Sequence, residues 1–311
     1  MQIALGANQQ ALDLHNTGLA TAILYTLAYA DIFDYPLTLD EIHRYLIGVR
    51  ATRTEVQTAI EAERQLDGKV VSIGGHFVLA GREKIVVLRR GRAKVAESLW
   101  PLAIRVGRAV ASLPFVRLAA ATGALVSNNV EQGADLDFLV VMKPGYVWVT
   151  RAMILALDRI ARRRGLAARI CPNYIISEDA LTLNEQDLFS AQELTRMVPI
   201  SGYTVYQNMR ACNGWTNTFL PNAQGSPMDL GMDGKASRLK APIEWALSSP
   251  PTRWVEKWEM RRKIAKFTRE NKLNTETRFS SDYCIGHFDG HKQQTMDAFA
   301  ARISRLGLNG R

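Results

Sequence analysis

The 311-residue chain has only three cysteines, Cys171, Cys212 and Cys284, scattered and without a Cys-x-x-Cys spacing. Their scarcity excludes a disulfide framework and a cysteine-rich zinc site, and it suits a reducing compartment. Long apolar runs are missing as well: none approaches the ~18 residues that a membrane helix needs. The first residues lack a basic segment followed by an apolar one, the mark of an export leader. A soluble, cytoplasmic protein with no membrane partner is the expectation. No repeat or low-complexity tract interrupts the chain, which argues against a solenoid. Acid is in short supply too: 30 Asp and Glu against 39 Lys and Arg leave a net charge of +9. A polyanionic partner, whether nucleotide phosphate, nucleic acid or an acidic carrier, suits that balance. With 47% hydrophobic and 22% charged residues, the composition is globular, and the length allows two or three domains of ~100–200 residues.

Apolar residues recur at helical spacing over 19–30, and Pro36 breaks the pattern. Thr38 with Glu41 three residues on forms a capping box for a second helix that ends at Gly48. Thr52 or Thr54 opens a third over 56–66. Two β-rich runs, 70–73 and 77–79, flank Gly74-Gly75, a hairpin signal. Three short helices and a hairpin look like a winged helix-turn-helix module. Its third helix mixes Arg53 and Arg64 with Glu55, Glu61 and Glu63, poor electrostatics for a duplex, so nucleic acid is the less favoured partner. The basic run Arg82, Lys84, Arg89, Arg90, Arg92 and Lys94 reads as a solvated helix face, with DNA contact as the sharper alternative. A long helix over 83–113 then bridges into the next module.

The stretch that carries chemistry is Thr122-Gly123-Ala124-Leu125-Val126-Ser127-Asn128-Asn129, followed by Ala134-Asp135-Leu136-Asp137-Phe138-Leu139-Val140-Val141. In a strand, Asp135 and Asp137 point to one face and Leu136 and Phe138 to the other. Two adjacent like charges call for a compensating cation, and Mg²⁺, which takes carboxylate and phosphate oxygens together, is the natural candidate. An apolar strand over 115–121 precedes the Gly123 turn. Glycine turn, spacing and paired acids together resemble the signature of the polymerase-β-like nucleotidyltransferase superfamily. The resemblance implies a turn that seats a triphosphate at Gly123 and Ala124, and two metal ions, Mg²⁺ or alternatively Mn²⁺, on Asp135 and Asp137. Ala124 departs from the usual Ser or Gly, and Ser127, Asn128 and Asn129 are the substitute donors. The superfamily also places a third acid on a neighbouring strand. That position falls on Asn173 if 169–176 is the strand, with Glu178 or Asp179 as alternatives in another register. Arg151, early in a helix over 146–164, is a further candidate for the nucleotide.

The segments Asp31-Ile32-Phe33-Asp34-Tyr35-Pro36, Cys171-Pro172-Asn173-Tyr174 and 191–199 are similar to bacterial nucleotidyltransferase-domain proteins. Residues 181–197 and 203–212 read as helices, with Glu193 inward on the first, as a capping or salt-bridged residue. Residues 222–240 read as a loop. Helices are expected over 242–247, 252–270 and 295–306. Trp254 and Trp258 are expected in the core, or, in the sharper reading, on a basic stripe that grips a polyanion. His287-Phe288-Asp289-Gly290-His291 reads as a helix start rather than a metal site. The expected fold is α+β, with a winged-helix-like module over 1–92, a small mixed-sheet nucleotidyltransferase core over 93–183 and a helical part over 184–311. The leading expectation is a Mg²⁺-dependent nucleotidyltransferase that moves a nucleoside monophosphate from an NTP to a small molecule, protein side chain or RNA end. The alternative is a degenerate fold serving as a nucleotide- or nucleic-acid-binding regulator. An acidic-turn phosphohydrolase is disfavoured, because Thr122-Gly123 offers no nucleophilic Asp at the strand end.

Overall fold

The Thr38 cap forms as its spacing dictates, and of the two candidates for the next helix Thr52 is the cap. In α2 (Leu39–Arg44) the Glu41 N–H donates to the Thr38 hydroxyl, while the Glu41 carboxylate accepts the Thr38 N–H. Thr52 and Glu55 repeat the exchange at the start of α3 (Arg53–Glu61). The computed structural model describes residues 2–3, 12–13, 17–62, 66, 68–230, 240–270, 277–286 and 290–308. A short ladder of β1 (Gln2–Ile3) with β2 (Leu12–Asp13) precedes α1 (Leu19–Asp31). The hairpin of β3 (Val70–Ile73) and β4 (His76–Leu79) turns at Gly74-Gly75, both at positive φ, and Leu37 bridges to Phe77 beside it. Of the expected third-helix charges, Glu63 and Arg64 lie outside the described residues.

The chain then enters α4 (Ile85–Ser112) and a mixed six-stranded sheet. Its strands are β5 (Val116–Ala121), β6 (Leu136–Met142), β7 (Ile170–Ser177), β8 (Val198–Ser201), β9 (Thr277–Phe279) and β10 (Tyr283–Gly286), in the order β8-β5-β6-β7-β10-β9. Only β6 and β7 pair in parallel, because α5 (Val147–Arg163) makes the crossover between them. One sheet face, with Leu136, Phe138 and Val140, packs under α4, α5 and α10 (Pro250–Arg269). The other, with Leu118, Leu139 and Val141, is covered by α6 (Leu188–Arg196) and α7 (Tyr203–Cys212). The remaining helices are α8 (Thr216–Phe219), α9 (Lys240–Leu247) and α11 (His291–Arg305).

The architecture is mixed α and β, as expected, but the part from residue 184 onward is not purely helical. It supplies β8, β9 and β10 to the sheet, and α6, α8 and α11 share one apolar core with α1. Met197-Val198-Pro199-Ile200 is too short an apolar run for periodicity to separate strand from helix end. Pairing with β5 decides it.

The basic run after the hairpin divides: Lys84, Arg90 and Lys94 are exposed, as a solvated face requires, whereas Arg82, Arg89 and Arg92 turn to the protein. Arg82 pairs with Asp31 and Asp34, and Arg89 is buried over the Tyr35 ring with Glu41 on its guanidinium. Arg92 reaches the Phe33 carbonyl, Asn129 and Glu131. These cations lock the N-terminal helices and the loop over 31–36 onto the sheet segment.

Candidate functional site

The Gly123 bend follows β5 directly, and Thr122 N–H donates to the Asp137 carbonyl at 3.0 Å, so the bend is held beside the start of β6. Gly123 sits at φ +69°, and a Cβ there would stand 2.6 Å from Asp137 Oδ2. Only glycine allows the backbone this close to the carboxylate. The Gly123 and Ala124 N–H groups have no backbone acceptor among the described residues. The 3-10 turn Leu125–Ser127 then closes on Asn128, at φ 49°.

Asp137 shares its sheet face with Leu139 and Val141, as strand alternation requires. Asp135 lies one residue before β6 and is exposed. Burial raises the Asp137 carboxyl to about 6; the Asn173 hydrogen bond opposes the rise, and the Asp135 charge adds to it. Asn173, on the neighbouring strand β7, donates its amide to Asp137 Oδ1 at 2.6 Å and accepts the Cys171 S–H on its own Oδ1. Where the resemblance leads one to expect a third acid, the strand thus carries a neutral side chain that orients Asp137. Asp179 and Glu178 belong to the short turn at the opposite end of β7, where Glu178 approaches Arg117 at 3.8 Å. Parallel pairing sets Asp137 against the beginning of β7, which takes both alternatives out of the site.

Two cavities meet at Gly123, Asp137, Asn173, Phe189 and Glu193. The larger, of ≈ 470 Å³, lies between the sheet and the N-terminal helices, with Tyr29, Phe33 and Tyr35 on one wall and Ala124, Ser127, Asn129, Arg196 and His291 on the others. The smaller, of ≈ 120 Å³, runs behind it among Leu139, Leu183, Leu194, Ile285, Arg278 and Lys292. Glu193 projects from α6 into their junction, open to cavity water yet enclosed by protein. Burial raises its carboxyl above the ordinary value, Arg196 opposes that, and Asp137 reinforces it. Arg196 stacks over the Tyr45 ring at 3.8 Å and donates to Ser127 Oγ and Gln192 Oε1.

The expected nucleotide donors divide. Gly123, Ala124, Ser127 and Asn129 line the larger cavity, although Asn129 gives its amide to the Phe33 carbonyl and accepts from Arg92. Asn128 points elsewhere and accepts the Trp100 indole N–H at 3.1 Å. Arg151 is a correction: it lies on the other sheet face, beneath α10, beside Phe267 and Cys284. Its place early in the helix suggested the nucleotide, but the crossover puts α5 on the face away from Asp137. Arg196 and the aromatic wall from α1 were missed, because they come from segments far apart in the chain; Glu193, expected to be a capping or salt-bridged residue, makes neither contact among the described residues. The signal available was a Glu and an Arg three apart, the two charges of the short helix α6. Of the His287–His291 motif, residues 287–289 lie outside the described residues, and His291 packs against Phe33 and Phe189.

Among the described residues no group of three or more His, Cys, Asp or Glu side chains comes together as a metal site. Asp137 stands at the glycine bend and lines both cavities, whereas the exposed Asp135 lines neither, so a hard cation here would need a ligand's oxygens to complete its shell. No helix among the described residues is long and apolar enough to cross a membrane. No protein-family model, curated protein or solved structure matches the chain.

Proposed function

We propose that the chain is a Mg²⁺-dependent nucleotidyltransferase, with the NTP in the larger cavity and its phosphates at the Gly123 bend. The observation that carries this reading is the glycine at φ +69° laid against the Asp137 carboxylate. Backbone N–H groups with no backbone acceptor among the described residues, beside the Asp137 carboxylate, suit a triphosphate and its cation. Asp135 and Asp137 would hold magnesium together with phosphate oxygens, and the bound ion would neutralise charge on the phosphates.

The chain's own residues do the rest. Asn173 fixes the Asp137 carboxylate, and the Gly123 and Ala124 N–H groups donate to phosphate oxygens. Arg196 adds a cation on the opposite wall, and Tyr29, Phe33 and Tyr35 offer faces to the base. An acceptor oxygen in the smaller cavity bonds to the α-phosphorus as the bond to the bridging oxygen breaks, and pyrophosphate leaves. Glu193, at the junction, is placed to take the acceptor's proton. The three helices and hairpin, with the Leu37–Phe77 bridge, resemble a winged helix used to close the nucleotide site rather than to read DNA.

A second reading, nucleotide binding without turnover, draws on the neutral Asn173. Pyrophosphate release from each NTP, with hydroxyl compounds as acceptors, separates the two. The enzymatic reading expects Mg²⁺-dependent release that falls at least about 100-fold in Asp137→Asn. Nucleotide binding with no release from any NTP would favour the second.

A further inference from the structure

Helix α10 is built inside out. It buries Glu256 and Glu259 and turns Trp254, 68% exposed, and Trp258, 50% exposed, to solvent. The inward acids have structural duties. Glu256 accepts the N–H groups of Trp148 and Val149 at 2.9 and 2.6 Å, capping α5, and Glu259 holds Arg262. Glu244 of α9 likewise turns inward to Arg117 and the Phe115 N–H, leaving the neighbouring Trp245 84% exposed. The expectation that the tryptophan pair belongs to the core is therefore overturned.

The outward face follows a repeat: Trp254 is followed one turn on by Lys257, and Trp258 one turn on by Arg261. Residues four apart share a helix face, so the two indoles stand in line with a cation beside each. Lys257 and Arg261 have no carboxylate partner among the described residues. We infer that the outer face of α10 binds single-stranded nucleic acid, with bases stacked on the tryptophans and phosphates on the neighbouring cations. A single strand alternates planar apolar bases with anionic phosphates, the same alternation that this face presents. A bilayer is the poorer match: an interfacial helix separates its apolar stripe from its cations, and here the two interleave. A second copy docking face to face would set like charges against each other. The surface lies on the sheet face away from Asp137, so the inference stands apart from the proposed reaction.

Fluorescence anisotropy of the full chain with a labelled poly-uridine strand of about 20 nucleotides tests it. The wild type should bind, with its tryptophan emission quenched. Trp254→Ala/Trp258→Ala should weaken binding by about tenfold or more, with an unchanged melting temperature because both rings are exposed. Lys257→Gln/Arg261→Gln should lower the slope of log K against log salt by about 1.4, about 0.7 for each phosphate that is no longer neutralised. The inference is overturned if the tryptophan variant binds as wild type, or if a duplex competes as well as the single strand. It is also overturned if phosphatidylserine-containing vesicles bind the chain and poly-uridine does not.

Discussion

A methyl group at position 123 has nowhere to go. Its position would be 2.6 Å from Asp137 Oδ2, in a backbone conformation that L residues rarely adopt. Gly123→Ala should lose about 1–3 kcal/mol in urea denaturation and displace the carboxylate. Asp137 carries a pH signature of its own. Its folded value of about 6 lies above the ordinary aspartate value. The stability it contributes is therefore full at low pH and is lost as pH rises through about 6. Without divalent ions, Asp137→Asn should match wild type in melting temperature near pH 4 and exceed it at pH 8. The gain should be about 1–2 kcal/mol, less than the raised value alone implies because the residue is half-buried.

Elements whose signals are local were legible in the sequence. Thr38–Glu41 fixed one helix start, while Thr52 and Thr54 both stood as candidates for the next, which the structure opens at Thr52; Thr52→Ala should cost about 1 kcal/mol in thermal unfolding. The β5–bend–β6 stretch was legible for the same reason, since turn and acid pair lie in one short segment. What was hidden depends on pairing and on burial by distant parts. Strand β8 reads as a helix end until β5 pairs with it, and Arg151 reads as a site residue until α5 settles on the far sheet face. Residue type misled twice, with the buried Arg89 taken for a solvated cation and the exposed Trp254 for core. At the element scale Glu256 is the sharpest test of how α10 is attached. Glu256→Ala leaves the Trp148 and Val149 N–H groups unpaired. It should cost about 1–3 kcal/mol and loosen α10 in hydrogen exchange.

Across the whole molecule α1, the connection from β4 into α4, and α11 are tied through Asp31. Its carboxylate takes Arg82 Nε at 2.6 Å and Arg302 Nε at 2.7 Å, joining segments that span most of the chain. Asp31→Ala should cost on the order of 2–3 kcal/mol, below the ~3–5 of a fully buried pair, because Arg82 is 38% exposed. It should also open the larger cavity, whose aromatic wall comes from α1 and the loop after it. The account of that cavity as a seat for a nucleotide and its cation is tested most directly by calorimetric titration of each NTP, with and without Mg²⁺, into wild type, Asp135→Asn and Asp137→Asn. The account predicts binding that requires Mg²⁺ and is lost in both variants. Binding that ignores the metal and survives both substitutions would contradict it.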